Sequence, residues 1–197
     1  MLHRVHTGEK VVACTFDDGP HPAHTREVLD LLAGDSAMAT FFPAGQESSD
    51  FPGELQAVVA AGYQVDNHTW SHPRLIFMSA ALVTRKFEST DRIIRLAGFH
   101  DPILVRTPFG KRSLTAPLYL AGNRRLNVFW DCEPESNRAL EGHAEKPAAD
   151  VAALVRQDSI VLLQLMYPSR GASREALSLI LQALEKQHSD SPPSMSW

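Results

Sequence analysis

No apolar run in this 197-residue chain approaches the roughly 18 residues that a membrane-crossing helix needs, so no transmembrane segment is expected. The opening, MLHRVHTGEK, also lacks the apolar stretch of a signal peptide. As written, the chain reads as cytoplasmic; it reads as exported or cell-envelope if its native N-terminus is not included. Cysteine is scarce. Cys14 and Cys132 lie in apolar, strand-like runs and read as core residues without a disulfide framework. Charge of one sign never accumulates, and the net charge is −4, which argues against a nucleic-acid partner. His3, His6 and the HTGEK string imitate the end of a zinc finger, but a finger needs a Cys pair about a dozen residues upstream, and none precedes them.

The chain does have an ordinary globular composition, 44% hydrophobic and 21% charged, in a length that suits one well-buried domain. Short β-rich runs alternate with longer helical ones. The strands expected are Val11–Phe16, Ala37–Phe42, Tyr63–Asp66, Ile103–Arg106, Leu126–Trp130 and Ser159–Gln164. The helices expected are Thr25–Ala33, Glu54–Ala61, Ser79–Leu96, Thr115–Ala121, Ala148–Arg156 and Ser173–Gln187. Gly34, Gly62, Gly98 and Gly122 sit where helices should stop, and Pro52 and Pro147 where helices should start. Such alternation implies a parallel α/β architecture, either a doubly wound sheet or an irregular barrel. Residues 1–187 read as one domain. The polar stretch 188–197, with Pro192–Pro193, reads as a disordered tail.

Ligands in parallel α/β proteins bind beyond the carboxyl ends of the strands. Five strands end there in polar or ionisable groups: Asp17–Asp18, then Asn67-His68-Thr69-Trp70-Ser71-His72, Arg106-Thr107-Pro108-Phe109-Gly110, Trp130-Asp131-Cys132-Glu133, and Gln164. Two adjacent carboxylates are costly unless a cation or an arginine offsets them. His68 and His72 are four apart, which in a helical turn puts both rings on one side. Two imidazoles and one carboxylate, with a position left for water, describe a catalytic metal site. Zinc is the expected occupant, with cobalt or another transition metal as the alternative.

The segments TFDDGPHP, NHTWSHPRL and RTPFG, with ATFFPAG at Ala39–Gly45, resemble the motifs of carbohydrate esterase family 4, the polysaccharide deacetylases with the chitooligosaccharide-deacetylase homology domain. The resemblance runs from about Val11 to about Leu184. It implies an irregular (β/α) barrel of about seven parallel strands, and hydrolysis of N-acetyl groups on N-acetylglucosamine-containing polysaccharide or oligosaccharide. It assigns Asp17 as general base, Asp18, His68 and His72 as metal ligands, and Arg106 as the partner that keeps Asp17 ionised. The backbone N–H of Phe109 would hold the oxyanion. Trp130 and Leu162 would wall the acetyl pocket.

Three departures from the family pattern stand out. The carboxylate that orients the arginine aligns with Glu133, with Asp131 as the alternative. The histidine that protonates the leaving amine is Gln164, which cannot exchange a proton near neutral pH. Its loss leaves a weakened deacetylase, a metal-containing carbohydrate-binding domain, or an engineered substitution as competing readings. A related amidase acting on a small cyclic amide is a further alternative, because fold does not fix function. Finally, no strand follows the last helix, so an unpaired edge open to homo-oligomerisation is expected.

Overall fold

The computed structural model describes residues 2–5, 11–72, 75, 78–110, 115–134 and 153–189. Four strands form a parallel sheet: β1 (Ala13–Asp17), β2 (Thr40–Phe42), β3 (Gln64–Val65) and β4 (Ile160–Leu163), in the order β3-β2-β1-β4. Thr15 lies opposite Thr40 on one side and Leu162 on the other. Both flanks of β1 are therefore paired, and Phe16 is fully buried. Among the described residues, six helices accompany the sheet: α1 (Thr25–Gly34), α2 (Gly45–Asp50), α3 (Pro52–Ala60), α4 (Ala80–Leu96), α5 (Thr115–Gly122) and α6 (Gly171–Ser189). The largest apolar cluster joins Val28 and Leu32 of α1, Leu55 and Val58 of α3, and Leu177 and Ile180 of α6 to the outer side of the strands. A smaller one, Phe42, Val128 and Ile160 with Trp130 and Leu104, fills the inner side. Among the described residues no helix is long and apolar enough to cross a membrane.

Two of the six expected strands are reduced to isolated bridges. Val105 pairs in parallel with Asn67 and with Asn127, in place of strands over Ile103–Arg106 and Leu126–Trp130. The reason is local. The Arg106 guanidinium takes the carbonyls of Val128 and Phe129 at 3.3 Å each, groups that a regular ladder would use. The expected bare edge is also corrected. Leu2 bridges Val128 in parallel and Arg4 bridges Ser159 in antiparallel fashion. Higher up, Cys132 bridges Val161. The N-terminal segment thus occupies the gap beside β4, and that side of the sheet is hydrogen-bonded. Neither Cys14 nor Cys132 is bonded to another cysteine, and both are buried as expected.

Helix boundaries follow the sequence closely, with α2 as the exception. Its GQESSD sequence carries no apolar period for the eye to find. Gly45 opens it because an added Cβ would press on Thr90 Oγ1 and lie 2.7 Å from the Trp70 ring. Gly62 and Gly98 stop helices at φ 83° and 97°, as glycine permits. Gly34 and Gly122, by contrast, are the last residues inside their helices. Pro52 starts α3. Pro147, the first half of the helix expected at Ala148–Arg156, and the tail from 190 lie outside the described residues.

Candidate metal centre and active site

β1 ends at Asp17, and the chain then turns sharply. Asp18 has φ 73°, which parts the two neighbouring carboxylates. Asp17 and Asp18 are both buried. Asp17 Oδ1 accepts from Arg106 Nη1 at 2.6 Å, while Oδ2 lies 3.6 Å from His68 Nε2. Asp18 Oδ1 lies 4.0 Å from His68 Nε2 and 3.7 Å from His72 Nε2.

The two imidazoles come from a curled loop; residues 67–72 form no helical turn. Thr69 and His72 both have positive φ, 68° and 46°. Asn67 Oδ1 accepts from the Thr69 amide at 2.7 Å, and Asn67 Nδ2 donates to the Phe87 carbonyl and to Asp91. Gly45 and Gln46 donate their amides to the carbonyls of Thr69 and Trp70. The loop is thereby fixed from both flanks, and the rings of His68 and His72 stand 4.9 Å apart. Phe109, at φ 61°, lays its ring edge-on to His72 at 4.5 Å.

A test of whether a metal fits rests on unpaired atoms. His68 Nδ1 meets the Arg106 carbonyl at 2.9 Å, so Nδ1 carries the proton and Nε2 presents a lone pair. His68 Nε2 and Asp18 Oδ1 are buried and have no hydrogen-bond partner among the described residues. Leaving such atoms bare costs about 1–3 kcal/mol each. One ligand atom each from Asp18, His68 and His72 fall within 4.8 Å of one another. Burial pushes His68 down to about 4, so its ring is neutral and able to ligate at neutral pH. Burial likewise pushes Asp18 upward against the pull of His68 and His72. The donor set, one carboxylate oxygen and two imidazole nitrogens, suits a divalent transition metal.

Arg106 is fully buried and donates to Thr15 Oγ1 at 2.8 Å as well as to Asp17. Its charge stacks over Phe42 and Trp130, at 4.1 and 5.5 Å from the ring centres. Burial nevertheless raises Asp17 above the usual carboxylate range, with Arg106 pulling it back only in part. Glu133 does not orient Arg106: its Oε2 accepts from Trp130 Nε1 at 3.0 Å. Asp131 does not either. Arg4, Ser159 Oγ and the Ile160 amide hold it, pinning the N-terminal segment to β4. Arg106 is held instead by Thr15 Oγ1 and by the carbonyls of Val128 and Phe129, because both carboxylates are engaged elsewhere. Leu162 is buried and, by strand alternation, shares a face with Ile160, which packs beside Trp130.

At the end of β4, Gln164 donates from Nε2 to Asp18 Oδ2 at 3.3 Å and accepts from Arg170 at Oε1 at 2.8 Å. Three further groups on this rim escape the sequence motifs. Glu47 of α2 accepts from the Tyr167 hydroxyl at 3.5 Å, and burial pushes its carboxyl up to about 7. Arg170 and Tyr167 lie just past β4. Glu47 stands beyond the carboxyl end of β2, so strand-end position, the signal that marks Asp18 and His68, marks all three as well.

A sequence profile described as polysaccharide deacetylase matches residues 4–124. The chain belongs to the polysaccharide deacetylase family. Among its relatives, a chitooligosaccharide deacetylase of Sinorhizobium fredii is 36% identical over 160 residues, covering 80% of this chain and 73% of that protein. The peptidoglycan-N-acetylmuramic acid deacetylase PdaC of Bacillus subtilis is 36% identical over 132 residues, 66% of this chain; the match spans only 27% of PdaC. A family 4 carbohydrate esterase from Streptomyces lividans, solved in complex with acetate, superposes with a TM-score of 0.80 at 27% identity, covering 91% of this chain and 90% of that one. The Streptomyces lividans esterase shares the parallel α/β frame on which the Asp-His-His cluster of this chain is mounted.

Proposed function

We propose that this chain is a metal-dependent hydrolase that removes N-acetyl groups from N-acetylglucosamine-containing polysaccharide or oligosaccharide. The observation that carries the reading is the pair of bare, buried ligand atoms, Asp18 Oδ1 and His68 Nε2, facing His72 Nε2 beside a second carboxylate. Asp18, His68 and His72 would hold the ion, zinc in the first instance and cobalt or another transition metal otherwise. Bound there, a divalent cation supplies Lewis acidity toward the acetamide carbonyl and lowers the pKa of water.

The chain's own groups divide the remaining work. Asp17 takes the proton of the attacking water at Oδ2, the oxygen that Arg106 leaves uncovered. Arg106 fixes the direction of that carboxylate. The Phe109 amide stabilises the developing oxyanion, as preorganised N–H groups do. Trp130 and Leu162 wall the acetyl pocket, within a sheet that this reading takes as an irregular barrel of about seven strands. Gln164 cannot return a proton to the leaving amine, so turnover is reduced by about 10²–10⁴-fold relative to a site with an acid there.

The test is acetate release from an N-acetylglucosamine oligomer with added zinc or cobalt, beside calorimetric titration of the metal. Metal uptake with slow acetate release is expected, and His72→Ala should lose both. Gln164 favours one second reading, a metal-containing carbohydrate-binding domain. Sugar affinity with no acetate released at any enzyme concentration would select it, and absence of metal uptake would sink both.

A further inference from the structure

We propose that Arg170 and Gln164 act as a two-residue positioning clamp on Asp18, fixing which of its carboxylate oxygens is offered to the metal. The inference rests on the metal-centre reading above and assigns to residue 164 a task other than acid catalysis.

The argument begins with donor and acceptor chemistry. A guanidinium only donates, and an ionised carboxylate only accepts. Gln164 stands between one of each, with Arg170 Nη2 2.8 Å from Oε1 and Asp18 Oδ2 3.3 Å from Nε2. Its amide therefore has one satisfying orientation, nitrogen toward Asp18; a flipped amide would set donor against donor and acceptor against acceptor. Engaging Oδ2 leaves Oδ1 as the oxygen turned to His68 and His72, and Oδ1 is the oxygen found bare and buried. A ligand carboxylate held through its second oxygen is the arrangement by which outer partners fix ligand direction.

The anchor of the clamp is itself fixed. Gly171 opens α6 directly after the turn Pro168–Arg170, whose Arg170 amide donates to the Tyr167 carbonyl at 3.0 Å. Arg174, buried on α6, donates to the carbonyls of Leu165 and Tyr167 at 2.7 and 2.8 Å and pairs with Glu27 of α1. The segment that carries Arg170 back over Gln164 is thus tied down at its base. Arg170 also adds its positive charge to those that favour the ionised form of Asp18.

The experiment is calorimetric titration of zinc or cobalt into the metal-free full chain and its Arg170→Ala, Arg170→Lys, Gln164→Leu and His72→Ala variants, with thermal unfolding of each metal-free protein. Arg170→Ala and Gln164→Leu should each weaken metal affinity about 10–100-fold, at an unfolding midpoint close to the parent's. Arg170→Lys, which keeps a donor for Oε1, should recover most of the loss. The clamp is overturned if Arg170→Ala and Gln164→Leu both bind within about twofold of the parent while His72→Ala loses binding. It is also overturned if lysine rescues nothing. Unchanged affinity in His72→Ala would instead remove the metal-centre reading itself.

Discussion

Two arginine–aspartate pairs in this fold share the same shortest contact, 2.6 Å, and do different things. Arg125 grips Asp91 through both oxygens, and Asn67 adds a third hydrogen bond. That pair is partly open to solvent, with side-chain exposures of 12% and 27%. Both Asp91 oxygens are engaged, and Asp91, through Asn67, ties α4 to the loop that carries His68. Arg106 holds Asp17 through one oxygen only, at exposures of 0% and 3%, and leaves Oδ2 facing His68. The structural pair is saturated and half-wet; the site pair is dry and incomplete. An oxygen left open in a dry place is what chemistry needs from a carboxylate.

The contrast breaks most visibly in rate. Asp17→Asn should lower acetate release by about 10²–10⁴-fold, the usual worth of a positioned base. Asp91→Asn should stay within a few-fold of the parent. Equal losses in the two variants would mean that the open oxygen has no special role. In stability the order of exposure decides. Arg106→Met strands a buried carboxylate and should cost about 3–5 kcal/mol by chemical denaturation. Arg125→Met removes a partly screened pair and should cost about 0.5–1 kcal/mol.

The sequence displays one side of this comparison far better than the other. Asp17, Asp18, His68, His72 and Arg106 are legible because each follows an apolar, strand-like run, beyond which parallel α/β folds place ligands. Helices α1, α4 and α6 are legible because their apolar faces repeat with the helical period, and α2 is hidden because a six-residue polar helix has none. Spacing assigns Glu133 or Asp131 to Arg106, yet spacing along a chain does not say which side chain can enter an enclosed inner face. Thr15 does that work from within β1, where a threonine looks like ordinary strand. The N-terminal segment reads as a finger-like decoy, although Leu2 and Arg4 complete the pairing beside β4. Nothing in a four-residue stretch signals a bridge to partners more than 120 positions away.

A second buried carboxylate sharpens the meaning of a bare oxygen. Asp66 Oδ2, like Asp18 Oδ1, is buried without a hydrogen-bond partner among the described residues. Only the oxygen of Asp18 faces imidazole nitrogens. Asp66 instead accepts from Gln64 and the Leu104 amide through Oδ1, and burial pushes it up to about 6. The native chain then keeps a proton that the unfolded chain has released, so this group's contribution to stability is full below about pH 4 and is lost as pH rises to about 6. Asp66→Asn should remove that slope and gain on the order of 1–3 kcal/mol at pH 8. Parallel pH–stability curves for the two proteins would show that Asp66 does not titrate in this window.

The smallest expected effect concerns residue 164, and it separates the site from a simple damaged deacetylase. If Gln164 were only a lost acid, Gln164→His alone would restore it. Arg170, however, approaches that position to 2.8 Å and can only donate. An imidazole there would meet the guanidinium with a lone pair, and the nearby positive charge disfavours the imidazolium needed to protonate an amine. Gln164→His alone should therefore raise acetate release by no more than a few-fold. With metal held saturating, so that any loss of metal affinity is offset, Gln164→His with Arg170→Gln, which removes the charge and keeps a polar group in the turn, should exceed the single variant by about tenfold. Equal rates in the two would mean that Arg170 does not govern position 164, whatever the metal affinity of the parent.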